Sequence, residues 1–280
     1  MRRPGSRSIK LGLAIALASS FALNTRAQSP AQSEAEAKVS HAKVELIAEQ
    51  STIPPGAPVW VGLHFQLDSG WHVYWQYAGD SGEPPKVQWT LPPGFKAGPI
   101  RWPTPERLGS GSIIDYGYEG QVLLMAPIEG PVASESRPLP NVSADVKYVV
   151  CREICVQGKA HLALSPPSPS DSAAQRALFT QTRAALPKPL PAAWQVHATS
   201  DKDYFYLHVQ TGSREQAVSF FPIVPGDIEN SAPQKFESSA DGFRLTLKKS
   251  DQMTAPVHSL KGLLVLGDGK AYEIAARVPI

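Results

Sequence analysis

The chain is poor in the residues that most readily carry chemistry. It has two cysteines, three methionines (one the initiator) and seven histidines in 280 residues. The histidines are scattered, with no His-x-His and no second cysteine pair, so the four ligands of a structural zinc site are not in evidence. No Ser-His-Asp pattern, glycine-rich phosphate loop or outstanding pair of carboxylates is present, which leaves hydrolysis and nucleotide chemistry without a motif. Nothing calls for an organic cofactor. No internal repeat of solenoid length is visible.

Long apolar runs are equally few. One, "LGLAIALASSFAL" (11–23), follows a basic start made by Arg2, Arg3, Arg7 and Lys10, and "NTRA" then ends on Ala27. A membrane span needs about 20 residues, so residues 1–27 read as a secretory signal peptide. Arg2–Arg3 lacks the context of a twin-arginine signal, which points to ordinary secretion. No later stretch is long and apolar enough to span, so no stable membrane insertion is expected after cleavage. The signal also distorts the charge. The whole chain has 27 basic and 25 acidic residues, and the presequence takes five basic and no acidic ones, leaving 22 against 25. A net of −3 makes nucleic acid an unsuitable partner.

What is abundant is turn chemistry. Glycine and proline number 21 and 27, roughly 17% of the chain against an average of ~12%. Period-two alternation recurs between the turns. Val59, Val61, Leu63, Phe65 and Leu67 alternate with Trp60, Gly62, His64 and Gln66, which predicts a strand with one apolar face. Shorter examples are "VQWTL" (87–91), "QVLLMAPI" (121–128), "ADVKYVV" (144–150), "YFYLHVQ" (204–210), "GFRLTLK" (242–248) and "YEIAARV" (272–278). "LLVLGDGKAYEIAARV" places Gly-Asp-Gly between two such runs, a hairpin signal. One stretch reads as helix, "DSAAQRALFTQTRAAL" (171–186), with Ser170 or Asp171 as cap and Pro187 as stop. "SPPSPS" (165–170) and "PKPLP" (187–191) flank it. The expected fold is all-β: two β-sandwiches, at 38–165 and 192–280, joined across 166–191 by a short helix between proline-rich linkers.

Both cysteines fall in "YVVCREICVQG" (148–158). On an extended strand Cys151 and Cys155 would sit roughly 13 Å apart, and a disulfide needs Cα atoms within about 7 Å. If the two are bonded, the chain must turn through "CREIC" and return around 159–164. Export places the pair in an oxidising compartment, where a disulfide is expected at least part of the time. A structural staple there would contribute only about 2 kcal/mol, because the closed loop is so short. Arg152 and Lys147 would favour a thiolate and Glu153 would oppose it, so local charge decides nothing. Three readings stand: a redox couple, a staple in a non-catalytic binding module, and a Cu(I) site completed by Met125 or His161.

Four blocks narrow the choice. "GWHVYWQYAGDSGEPPKVQWTLPPGF" (70–95), "IRWPTPERL" (100–108), "YGYEGQVLL" (116–124) and "VVCREICVQGKAHLAL" (149–164) resemble, in this order, the N-terminal periplasmic region of DsbD/ScsB-type thiol:disulfide interchange proteins. A looser likeness extends through 260–279. The resemblance implies an immunoglobulin-like sandwich in the periplasm and a protein-disulfide oxidoreductase activity. Cys151 and Cys155 match the redox pair, with Cys155 facing the partner and Cys151 resolving. Glu106 to Leu108 fall in the segment of a cap loop that shields the disulfide. Tyr74 and Tyr118 correspond to aromatics beside the pair, although both would serve equally as sandwich packing. The implied partners are a thioredoxin-like or transmembrane thiol reductant and periplasmic substrate proteins. Relatives continue into membrane and thioredoxin-like domains that this sequence does not contain, so either its reductant is a separate protein or the module no longer takes part in electron transfer.

Overall fold

A computed structural model describes residues 36–39, 41–131, 135–164 and 172–279. The expected signal peptide and the expected helix caps, Ser170 and Asp171, lie outside these residues. Residues 33–280 form one compact unit. Within the described residues the protein is mostly β, with several sheets and one short helix.

With strands numbered along the chain, one five-stranded sheet has the order β1-β2-β4-β10-β7. Its members are β1 (Glu36–Val39), β2 (Ala42–Ala48), β4 (Val59–Leu67), β10 (Gln121–Glu129) and β7 (Lys96–Ala97). A six-stranded sheet runs β13 (Cys155–Ala163), β12 (Ser143–Cys151), β5 (His72–Gly79), β9 (Ile113–Glu119) and β8 (Glu106–Ser110). Its sixth strand, β6 (Lys86–Thr90), pairs with β12 beside β5. A two-stranded ribbon joins β3 (Thr52–Ile53) to β11 (Arg137–Pro138).

The remaining strands form two four-stranded sheets. One is β14 (Lys188–Pro189), β21 (Ala271–Arg277), β20 (Ser259–Leu266) and β17 (Val218–Pro222). The other is β15 (Gln195–Ser200), β16 (Tyr204–Gln210), β19 (Gly242–Lys248) and β18 (Lys235–Ser238).

The alternating apolar residues of the sequence line a fully buried face. Val59, Val61, Leu63 and Phe65 of β4 are at most 1% exposed, and they share one core with Val73, Trp75, Val146, Tyr148 and Val150 from the six-stranded sheet. Phe65 meets Tyr148 edge-on at 5.3 Å between centroids. A second core gathers Phe205, Leu207, Phe220, Leu245, Leu247, Leu260 and Leu264 from the two later sheets. The two cores are not isolated, because Phe221 and Leu263 from the later strands join the first.

Helix α1 (Ser172–Ala185) was expected within a linker, yet it is docked. Phe179 is fully buried against Ile47, Leu123 and Met125, on the face of the five-stranded sheet turned away from the main core. Arg183 holds the Glu49 carboxylate through both nitrogens, at 2.6 and 2.5 Å. The Ala185 carbonyl accepts from the Thr104 amide and hydroxyl, each at 2.9 Å.

Candidate functional site

Strand β12 carries the chain to Cys151, and β13 brings it back from Cys155. The two residues are direct cross-strand partners at the closed end of this hairpin, with Arg152, Glu153 and Ile154 as its loop. The return begins at Cys155 itself, several residues earlier than the sequence suggested. Arg152 N–H donates to the Ile154 carbonyl at 3.1 Å and tightens the loop. The turn brings the Cα atoms to 4.1 Å, and the two sulfurs are bonded.

The sulfurs have unequal surroundings. Cys151 is 3% exposed, packed with Tyr74, Ala78 and Val149. Cys155 is exposed, and beside it Ile154 is 67% exposed, an apolar side chain at the tip of the hairpin. Strand order explains the difference. On the side away from β13, Cys151 pairs with His72 of β5, whereas β13 takes the sheet edge.

Behind the buried sulfur lies a chain of polar groups. The Tyr74 hydroxyl donates to Cys151 Sγ at 2.8 Å and lies 3.7 Å from Cys155 Sγ. It also lies 3.1 Å from Ser81 Oγ. Ser81 donates its hydroxyl to Asp115 Oδ2 at 2.8 Å and its amide to Asp115 Oδ1 at 2.9 Å. His72 Nε2 stands 3.6 Å from Asp115 Oδ2, both residues being buried. Two hydroxyl protons thus serve three short contacts. When Ser81 donates to Asp115, Tyr74 has one proton to divide between Ser81 and the sulfur.

Ionisation follows from the same contacts. Burial works to raise the Asp115 carboxyl, but His72 and the hydroxyl and amide of Ser81 together hold it below its ordinary value. Burial pushes the Tyr74 hydroxyl up, and the Asp115 charge adds to this against the Ser81 hydrogen bond. Tyr74 therefore remains a proton donor at neutral and mildly alkaline pH.

Two glycines make room for this arrangement. A Cβ on Gly82 would fall 2.1 Å from Tyr74 Cζ, and its φ of +64° is itself left-handed. At Gly79, with φ +93°, a Cβ would meet the Ile114 carbonyl oxygen at 2.3 Å. The "GDSGEPP" segment, which on sequence grounds reads as turn chemistry, thus supplies Ser81 and leaves space for the tyrosine.

The other expected site residues are placed differently. Tyr118 is buried in the main core, and its hydroxyl donates to the Pro103 carbonyl at 2.7 Å. Glu106 and Leu108 lie on β8, paired with β9 in a hairpin rather than an open loop. Glu106 is exposed, while Leu108 is 9% exposed and faces Gly117. Leu108 is not among the residues packed about Cys151. The segment 106–118 does reach the redox pair, through Asp115. Ser81, Asp115 and His72 were missed as functional residues, although each lies in or beside a quoted block.

The possible Cu(I) ligands do not converge on the sulfurs. Met125 is buried beneath the helix with Phe179, and His161 Nδ1 is 2.8 Å from Asp145. His161 is six residues beyond Cys155, about 20 Å along the strand. Among the described residues no group of three or more His, Cys, Asp or Glu is placed to hold a metal ion. No helix among them is long and apolar enough to cross a membrane.

Comparison with known proteins adds three findings. No curated protein matches the sequence. Among solved structures, the crystal structure of the N-terminal periplasmic domain of ScsB from Proteus mirabilis superposes with a TM-score of 0.67. The identity is 19%, over 88% of this chain and 97% of that one, which establishes a shared fold. Residues 43–167, which include both cysteines and Tyr74, Ser81, Asp115 and His72 behind them, match the family "Thiol:disulfide interchange protein DsbD, N-terminal". Over those residues the chain is similar to that family, in agreement with the resemblance carried by its motifs.

Proposed function

We propose that this protein is a periplasmic thiol:disulfide exchange module, passing electrons from a thioredoxin-like or transmembrane reductant to periplasmic proteins through Cys151 and Cys155. In this reading it consists of two immunoglobulin-like sandwiches, 38–165 and 192–280, the first holding the redox pair. The observation that carries the proposal is the inequality of the sulfurs. One is exposed at a sheet edge, and the other is buried 2.8 Å from a tyrosine hydroxyl.

The chemistry follows from that inequality. A reductant thiolate attacks Cys155 Sγ, the S–S bond breaks, and its electron pair leaves on Cys151 Sγ. Tyr74 O–H donates to the thiolate so formed, and leaving-group stabilisation speeds thiol–disulfide exchange. The reductant's second thiolate then attacks its own sulfur in the mixed disulfide and frees Cys155. The reductant ends as a disulfide and the pair as two thiols, with two electrons transferred. Toward an oxidised substrate the order reverses: Cys155 attacks, and Cys151 resolves the mixed disulfide.

Glu106, Leu108 and Tyr118 belong in this scheme to the frame that holds β9 and hence Asp115. A structural staple is the competing reading. Trapping separates the two. With the remaining cysteine of each variant first converted to its thionitrobenzoate mixed disulfide, Cys151→Ala should accumulate a mixed disulfide between Cys155 and a purified thioredoxin-like reductant lacking its resolving cysteine, with thionitrobenzoate as the leaving group, and Cys155→Ala should accumulate far less. Equal or absent adducts would return the pair to a structural role.

A further inference from the structure

The polar chain behind Cys151 does not end within residues 43–167. Asn230 belongs to the C-terminal part, after β17, and is 5% exposed. Its side-chain partners all come from the part that holds the redox pair. Nδ2 donates to Tyr77 Oη at 2.9 Å and to Asp80 Oδ1 at 2.7 Å, and Oδ1 accepts from Tyr116 O–H at 3.3 Å. Its backbone carbonyl accepts from Arg107 at 3.0 Å. A buried amide costs stability unless satisfied, and here three residues of the other core satisfy it.

Asp80 carries the connection onward. Its Oδ2 accepts from Ile114 N–H at 2.8 Å, and its own amide donates to the Ile114 carbonyl at 2.9 Å. Residues 79–81 are thereby pinned to 114–115. The next residue on each side, Ser81 and Asp115, forms the double hydrogen bond that ends on the Tyr74 hydroxyl. Tyr116, two strands from β12, is also fixed from the C-terminal side, its ring meeting Phe221 at 5.3 Å. Contacts from two directions thus hold β9 in the register that aims Asp115 at Ser81.

We propose that Asn230 is a positioning residue of the redox site: by holding Asp80 it fixes the Ser81–Asp115 pair that orients the Tyr74 hydroxyl on Cys151. The C-terminal sheets then set how readily Cys151 departs as a thiolate. This rests on the exchange reading above, and it gives those sheets a role in the chemistry that their sequence does not announce. A ligand or partner that shifts the 223–234 loop would alter the same hydroxyl.

The hydrogen-bond inventory supplies a specific test. Asn230→Asp sets two carboxylates against each other where a donor met an acceptor. The double exchange Asn230→Asp with Asp80→Asn restores every bond with the roles reversed. The amide now at position 80 donates to the carboxylate at position 230 and accepts from Ile114. That carboxylate also accepts from Tyr116 and from a rotated Tyr77 hydroxyl.

Stopped-flow reduction by dithiothreitol, across pH and per folded molecule, should be roughly three- to tenfold slower in Asn230→Asp, since the departing thiolate loses its aligned donor. The equilibrium with glutathione should move toward the disulfide, and the double exchange should recover both. Where Asn230→Asp does not fold, Asn230→Ser shortens the side chain without adding charge and reads the same comparison. Wild-type rate and potential in the single variant, or no recovery in a folded double exchange, would overturn the positioning role. If the wild type itself equilibrates far below the potentials of exchange proteins, the exchange reading fails instead.

Discussion

Removing one oxygen atom, by Tyr74→Phe, separates the chemistry of the pair from its packing. The ring is fully buried, and it keeps its edge contact with His72 at 5.1 Å and its place over Gly82. Only the hydroxyl 2.8 Å from Cys151 Sγ is lost. A hydrogen bond to a charged group is worth about 1.5–3 kcal/mol. That sum is lost in full only when Cys151 has become a thiolate. If roughly half of it is felt at the transition state, about 1 kcal/mol, reduction slows roughly fivefold.

The equilibrium bears the whole loss. Since about 1.4 kcal/mol corresponds to 30 mV for a two-electron couple, the reduction potential should fall by about 30–60 mV at a pH where the thiolate is present. The effect should grow as pH rises toward the ordinary thiol range near about 8.5. Tyr74 stays protonated throughout, because burial pushes its hydroxyl up. Stopped-flow reduction by dithiothreitol and equilibration with glutathione, each from pH 6 to 9, measure both quantities. Thermal unfolding of the oxidised form should shift little. Wild-type rates and potential across that range would refute the leaving-group role of Tyr74.

Three other outcomes follow. Replacing Cys151 and Cys155 together by alanine should cost no more than about 2 kcal/mol, because the closed loop is short. The native β circular dichroism at room temperature should survive. Asp115 is held below its ordinary carboxyl value by His72 and Ser81 despite its burial, so the stability it contributes is complete above the unfolded value near about 3.9. That contribution disappears as pH falls through the lower folded value, and urea titrations below about pH 4 should show less acid loss in Asp115→Asn than in wild type. Leu108→Ala, at a buried position facing Gly117, should cost about 2–4 kcal/mol in chemical denaturation. Faster reduction by small thiols in that variant would support the shielding role implied by the family.

The sequence made several strands legible because their apolar residues recur at every second position. Val59 to Leu67 and Ala144 to Val150 alternate strongly enough to be read without a structure, and they lie within strands β4 and β12. The turn at Cys151–Cys155 followed from geometry, since an extended strand would have kept the sulfurs apart. Phe179 was not legible as an anchor, because its partners Ile47, Leu123 and Met125 come from distant strands. They occupy strand positions that a two-period reading assigns to the outer face. Ser81 and Asp115 were invisible for a related reason. They are 34 residues apart and meet only where β5 bulges between Tyr74 and Gly79. No local periodicity reports a bulge pairing. The one available signal was glycine, at 79 and 82, in a loop whose composition alone suggested a turn. Asn230 lies further still, in a loop with no pattern.

The inequality of the two sulfurs was implied by the family resemblance but by no periodicity, and it has a simple cause. Cross-strand partners in a hairpin project to the same face, so Cys151 and Cys155 should begin with equal access to solvent. What separates them is the neighbour on the outer side of each strand. Beyond β12 lies β5, which brings His72 alongside and Tyr74 beneath the sulfur. Beyond β13 the sheet ends. An edge strand is ordinarily a liability, since its unpaired backbone groups invite association. In the proposed exchange the exposed Cys155 at this edge is where a partner's thiolate attacks, in line with the S–S bond. Attack along that line expels Cys151, the sulfur already furnished with a hydrogen-bond donor. In the proposed exchange the order of strands in one sheet therefore sets which sulfur is attacked and which one departs.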